Sequence, residues 1–187
     1  MKERKFSTYQ IVFVAVMAAL VCVATFFRFP LLGSKVHFAN AMCLLSGMLF
    51  GPVLGGLAAG FGSMLYDALF GGYDLINCLI TFVSKFLMAA ICAWIAFGGK
   101  EEGKGKHARL VVGSVVGALS YVALYMLKTY IFQRFVHGYP LDAVVVTMGG
   151  KLPASLINAV FAMIVAPILY AAIAPALHRK GMLEKLR

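Results

Sequence analysis

Residues 47–62 read GMLFGPVLGGLAAGFG. Gly47, Gly51 and Gly55 recur four apart, as do Gly56 and Gly60, so each set falls on one face of a helix. In lipid, burying apolar side chains gains nothing over leaving them among acyl tails, and small residues let helix backbones approach and pack. Gly51-Pro52 cannot be smooth helix interior, because proline lacks the N–H donor and is best tolerated at a helix start. The stretch is therefore expected to hold the end of one membrane helix, a tight turn and the start of the next, with the other helices wrapped around this small-residue seam. A soluble glycine-rich loop does not fit, since too few polar residues lie near it.

Composition extends that reading to the whole chain. Its 187 residues are 62% hydrophobic and 13% charged, with a mean hydropathy of +0.90, outside the range of a soluble domain. A spanning helix needs roughly 20 apolar residues, which leaves room for about six spans and short loops. The expected fold is an all-α membrane protein, a six-transmembrane-helix bundle forming a single domain over residues 1–187. The net charge of +10 is unevenly placed. Lys2, Arg4 and Lys5, then Lys100, Lys104, Lys106 and Arg109, then Arg179, Lys180, Lys185 and Arg187 supply 11 of the 17 basic residues. With six spans these three segments share one side, and Arg28, Lys35 and Arg134 flank spans on the other. That is a positive-inside pattern with N- and C-termini cytoplasmic, and no footprint for nucleic acid. The four cysteines (Cys22, Cys43, Cys78, Cys92) lie inside apolar runs without C-x-x-C spacing, so packing is expected and no metal site. The basic start followed by an apolar run at residues 11–27 has the layout of a signal peptide. The run is longer than the usual h-region of about 7–15, so a retained first span is expected.

The expected spans are residues 9–28, 36–50, 52–70, 75–97, 109–136 and 152–177. Span 1 carries Ala15 and Ala19, a smooth stripe for another helix. The outer loop after it keeps enough apolar residues to fold over the bundle as a lid. Its members are Phe29, Pro30, Leu31, Leu32, Gly33 and Lys35, with His37 as a polar cap or lid contact. Proline favours the first turn of a helix, so Leu152-Pro153 marks the expected start of span 6, bent near Pro167. Trp94 and Tyr170 read as interfacial anchors; Tyr73 and Tyr139 read as either anchors or lid residues.

Polar groups inside spans are costly and mark sites or paired contacts. Asn77, Thr81, Ser84 and Lys85 form one stripe on span 4; Tyr121, Tyr125 and Lys128 form another on span 5. Asn40 opens span 2, Asp67 ends the polar face of span 3, and Lys151 and Asn158 flank the start of span 6. All lie in the outer half of the bundle, while the inner halves are Gly, Ala, Leu, Ile and Val. The asymmetry describes a cup, open outward and closed below. Aromatic faces with hydrogen-bonding groups suit a flat heterocyclic ligand, and the lysine excess favours an anionic group on it. The alternative for Lys85 and Asp67 is a structural pair between helices. No metalloprotease, nucleophile-elbow or Walker signature occurs, so no enzyme activity is expected.

The segments Val36-His37-Phe38-Ala39-Asn40, Leu49-Phe50-Gly51-Pro52 and Gly55 through Ser63 carry a resemblance, continued by Asp67, Gly71-Gly72-Tyr73 and residues 81–86. The chain resembles the substrate-binding S component of an energy-coupling factor (ECF) vitamin transporter, in the riboflavin, pyridoxine and thiamine-precursor branch. The resemblance implies a six-helix bundle in a prokaryotic cell membrane that binds one vitamin-like molecule on its outer side. It implies docking through Ala15 and Ala19 on a transmembrane T subunit driven by two cytoplasmic ATPases, with ATP used by those partners and no cofactor on this chain. Many relatives carry an aspartate where Asn40 stands. The competing class is a stand-alone facilitator or small-solute channel.

Overall fold

The computed structural model describes residues 7–31, 34–98 and 104–183. Lys2, Arg4, Lys5, Lys100, Lys185 and Arg187 of the charge pattern, and Leu32 and Gly33 of the lid, lie outside these residues. Helix α1 (Thr8–Phe26) starts at a capping box in which the Ser7 hydroxyl accepts from the Gln10 N–H and the Gln10 side chain accepts from the Ser7 N–H. It leads into an antiparallel hairpin of β1 (Arg28–Leu31) and β2 (Ser34–His37), with Arg28 opposite His37 and Pro30 opposite Lys35. The expected lid loop is thus a small sheet, a departure from an all-α chain. The next helix consequently begins at Ala39 and not at residue 36.

Helix α2 (Ala39–Tyr66) is broken at Gly51, whose φ of 81° and ψ of −176° are essentially open to glycine alone. The break turns the chain back on itself. The Ser46 hydroxyl donates to the Gly55 carbonyl at 2.8 Å, whereas nine residues of continuous helix would set these groups about 13.5 Å apart. A Cβ on Gly55 would meet the Ser46 carbonyl and lie 2.6 Å from the Gly47 Cα. The first arm, residues 39–50, is almost wholly buried. It is about 18 Å long, while the second arm with its terminal π turn (Asp67–Gly71) reaches about 30 Å.

Gly72, left-handed at φ 66°, ends that turn, and the Asp74 side chain caps α3 (Leu75–Phe97). Helix α4 (Lys104–Ile131) also ends in a π turn (Phe132–Val136), and α5 (Leu141–Arg179) follows Pro140. Five helices are long and apolar enough to cross a membrane. Around α2 pack α1, α3 and α5, with α4 between α3 and α5. The contacts run through the small residues. A Cβ on Gly56 or Gly60 would lie 2.8 Å from the Phe86 or Phe82 ring, and one on Gly47 would strike the Ala89 carbonyl. Gly62 does the same against the Ala18 carbonyl of α1.

Helix α5 overturns one expectation. It starts at Leu141, eleven residues before the expected Leu152, and runs unbroken for 39 residues through Pro153, Pro167 and Pro175. Proline clashes with the carbonyl four residues back. For Pro153 that residue is Gly149. Membrane helices tolerate such prolines where neighbours re-satisfy the backbone. Tyr170 is also corrected: at 7% exposure it belongs to the core, while Trp94, at 74%, stands free of it.

Candidate functional site

The first arm of α2 stops short of its neighbours, and the space above its end is a cavity of about 740 Å³. The rim comes from the chain connections at that end of the bundle: Arg28 and Pro30 of the hairpin, Tyr73 before α3, and Gln133 and His137 after α4. Below the floor the bundle is filled by Leu44, Met48, Met88 and Cys92, all 0% exposed. The space therefore closes within the bundle.

Lys85 forms the floor. It is 3% exposed, its Nζ donates to the Asn40 side-chain oxygen, and the ammonium lies 3.6 Å from the centre of the Tyr121 ring. A buried ammonium is tolerated only with such partners. The structural pair with Asp67 does not form: Lys85 acts on that carboxylate only through space, and Asp67 is instead hydrogen-bonded by Thr81. Asn40 begins a helix arm that ends at this level, so its side chain can meet a lysine 45 positions away.

Above the floor the walls differ in charge. On the α2–α3 side stand Asp67, Thr81 and Asn77, the last bound to the Asp74 carboxylate. On the α4–α5 side, Tyr121 and Tyr125 stack with centroids 6.3 Å apart, and Lys128 lies 5.7 Å from the Phe132 ring centre. Lys151 and Asn158 complete this wall from α5. The Asn158 side-chain oxygen accepts from the His37 backbone N–H at 2.8 Å, tying the hairpin's second strand to α5. Both π turns open onto the cavity, one bringing Asp67 and the other Phe132 and Gln133. An extra residue per turn is common where a helix must re-aim side chains at a site.

Two buried polar atoms of lining residues, His37 Nδ1 and Gln133 Oε1, have no hydrogen-bond partner among the described residues. Buried polar groups are rarely left so. Burial, helped by the Lys85 and Arg28 charges, lowers the His37 pKa from 6.5 to about 3, so the ring is neutral at pH 7. Burial first, and then the Asp67 charge, raises the Tyr73 phenol, which stays protonated.

Asn40, Asp67, Asn77, Thr81, Lys85, Tyr121, Tyr125, Lys128, Lys151 and Asn158 thus all border one cavity. Of the expected lid, Pro30 and His37 border it, whereas Phe29 is 63% exposed. Ser155, Thr129 and Gln133 were missed. The helical spacing that selected the others contains them too, since Lys151, Ser155 and Asn158 stand at i, i+4 and i+7. Thr25 and Arg28 gave no signal, because only the chain's turn into the hairpin brings them to the rim. Ala15 and Ala19 lie on the exposed face of α1. Beside them an apolar groove of about 350 Å³ runs between α1 and the second arm of α2, from Ile11 and Leu54 to Leu65.

A bundle of membrane-length helices holding a polar, dead-ended cavity of small-molecule size defines a multi-pass membrane protein of solute-handling type. The chain belongs to the family described as "ECF-type riboflavin transporter, S component", which it matches over residues 5–175. The solved "S component of a bacterial ECF transporter" shares the fold, with a TM-score of 0.64 and 22% identity over 90% of this chain and 96% of that one. An uncharacterised protein of the gap 3′ region from Pyrococcus woesei is 32% identical over 106 residues, 56% of this chain. The match spans 66% of that relative's length.

Proposed function

We infer that this chain is the substrate-capture subunit of an ECF transporter. In this reading it binds a water-soluble vitamin or vitamin precursor of riboflavin, pyridoxine or aminopyrimidine type. The observation that carries the reading is the convergence of polar side chains from α2, α3, α4 and α5 on a single cavity that dead-ends on a packed core. The stacked tyrosines offer a face for a flat ring, and His37 Nδ1 and Gln133 Oε1 offer unmet hydrogen-bonding capacity for its N–H or O–H edge. The packed floor argues against a stand-alone channel.

In the same reading the two arms of α2 count as separate spans, so the single domain crosses a prokaryotic cell membrane six times with both termini cytoplasmic. The exposed Ala15 and Ala19 and the groove beside them receive the T subunit, two ATPases supply ATP hydrolysis, and the chain itself carries no cofactor. Mass spectrometry of small molecules released from protein purified in detergent, followed by calorimetric titration with riboflavin, pyridoxine and aminopyrimidines, tests the capture step. One of these classes is expected to bind saturably; absence of binding by all three refutes it. Ala15→Trp/Ala19→Trp is expected to abolish co-purification of the T subunit while leaving ligand binding unchanged. Uptake into vesicles by the lone chain would establish the facilitator.

A further inference from the structure

We propose that the ligand carries an anionic group held between Lys128 and Lys151, with its ring below, against Tyr121 and Tyr125. The inference rests on the capture reading and deepens it by assigning the ligand's charge and orientation.

Four cations line the cavity (Arg28, Lys85, Lys128, Lys151) against one carboxylate, Asp67, a lining charge of 4 − 1 = +3. The cations are not equivalent. Lys85 is already engaged by Asn40 and Tyr121 at the floor, and Arg28 lies over the Tyr66 ring at 5.2 Å. Lys128 stands seven residues above Tyr121 on α4, and Lys151 seven residues above Asn158 on α5. Each therefore lies about 10.5 Å along its helix from that residue, on antiparallel neighbours. Both side chains line the cavity, and the two ammonium groups are close enough to act on each other electrostatically.

Asp67 and Asp74 offset part of the Lys128 charge, more than Lys151 adds to it, but both acids are also engaged elsewhere. Asp67 is engaged by Thr81, and Asp74 by the Asn77 side chain and the first turn of α3. Among the described residues neither Lys128 nor Lys151 donates a hydrogen bond to a protein acceptor; Lys128 has the Phe132 ring at 5.7 Å. The lining nevertheless stays net positive, and an excess of one charge within a membrane is costly unless an opposite charge enters the space. A carboxylate or phosphate supplies that charge with several acceptor oxygens. The separation along the helices then places the ring against the tyrosine stack and its donor edge toward Asp67 on the opposite wall.

The test uses matched pairs sharing a ring and differing in charge: riboflavin and riboflavin 5′-phosphate, pyridoxal and pyridoxal 5′-phosphate, nicotinamide and nicotinate. Each is titrated calorimetrically into the detergent-purified full chain. In the pair that binds, the anionic member is expected to be at least tenfold tighter. Lys128→Met and Lys151→Met are each expected to shrink that ratio several-fold, by weakening the anionic member more than the neutral one. A neutral member that binds as tightly as its anionic twin, or a ratio untouched by both substitutions, overturns the charge assignment and leaves vitamin capture standing. Failure of every compound to bind overturns both. The ratio on the unaltered protein decides the question even where a variant fails to accumulate.

Discussion

The second arm of α2 packs against helix α3, yet the two halves of that contact behave oppositely. In the lower half Gly56 and Gly60 meet Phe86 and Phe82 so closely that a Cβ would lie 2.8 Å from either ring. In the upper half Asp67 and Thr81 border a cavity of about 740 Å³. The helices do not diverge because their sequences lose periodicity; both keep polar or small residues on the same face. What changes is the neighbour. Below, the short first arm of α2 fills the centre of the bundle, and above its end at Ala39 nothing from α2 replaces it. The lock exists because glycine lets backbones touch, and the cavity because one helix is about 12 Å shorter than its partner arm.

Substitutions can break each half separately. The largest effect is expected below the cavity, where the first arm packs on α3 as closely as the second: Gly47→Leu drives a side chain into the Ala89 carbonyl, which is backbone and cannot rotate away. A loss of about 3 kcal/mol or more should appear as disappearance of the monodisperse peak in detergent size-exclusion chromatography. Survival of that peak would show that the two halves are not mechanically distinct.

Next comes the floor of the cavity. Lys85→Ala removes the donor to Asn40 and the cation over Tyr121. Ligand affinity is expected to fall about 10- to 100-fold, in line with about 1.5–3 kcal/mol for a charged hydrogen bond. The folded bundle should persist, since removing a buried charge relieves its desolvation. If the variant instead fails to accumulate in the membrane, Lys85 belongs to the lock and not to the cavity.

His37 sharpens the comparison at the rim. Its folded-state pKa of about 3 lies below the unfolded value of 6.5, so the unfolded chain binds the extra proton between them. Its stabilising contribution is complete above about pH 6.5 and is withdrawn as pH falls toward 3. Between pH 7.5 and 5.0 the apparent melting temperature should drop by more in the natural protein than in His37→Asn. The difference corresponds to at most about 2 kcal/mol, and parallel curves would place the ring in water. The smallest effect is expected outside both halves. Ser7→Ala removes the capping box of α1 at a cost of about 0.5–1 kcal/mol, read as a small fall in melting temperature with ligand binding untouched.

How far each feature could be read beforehand follows from how local its cause is. The seam, the turn at Gly51-Pro52 and the start of α3 after Asp74 depend on residues within one or two helical turns. The polar stripes were equally legible, because i, i+4 spacing places Thr81 and Lys85, or Tyr121 and Tyr125, on one face of any helix. The start of α5 was misread because Pro153 is a good first-turn residue locally, and only the packing of residues 141–151 as helix shows it to be interior. The hairpin was read as a loop because four-residue strands containing a proline leave no period to detect. Tyr170 was placed at an interface by residue type, whereas burial is a property of neighbours.

The chain's own order of residues determined that it lives in lipid, where its helices approach through glycine, and which face of each helix is polar. These follow from composition and from the 3.6-residue period, and both are properties of a segment considered alone. Only the folded bundle decided that those faces meet above a shortened arm, that Lys85 turns to Asn40 and not to Asp67, and that Lys128 and Lys151 border one cavity. Each of these depends on relative helix length and on contacts between residues tens of positions apart, which no local pattern encodes.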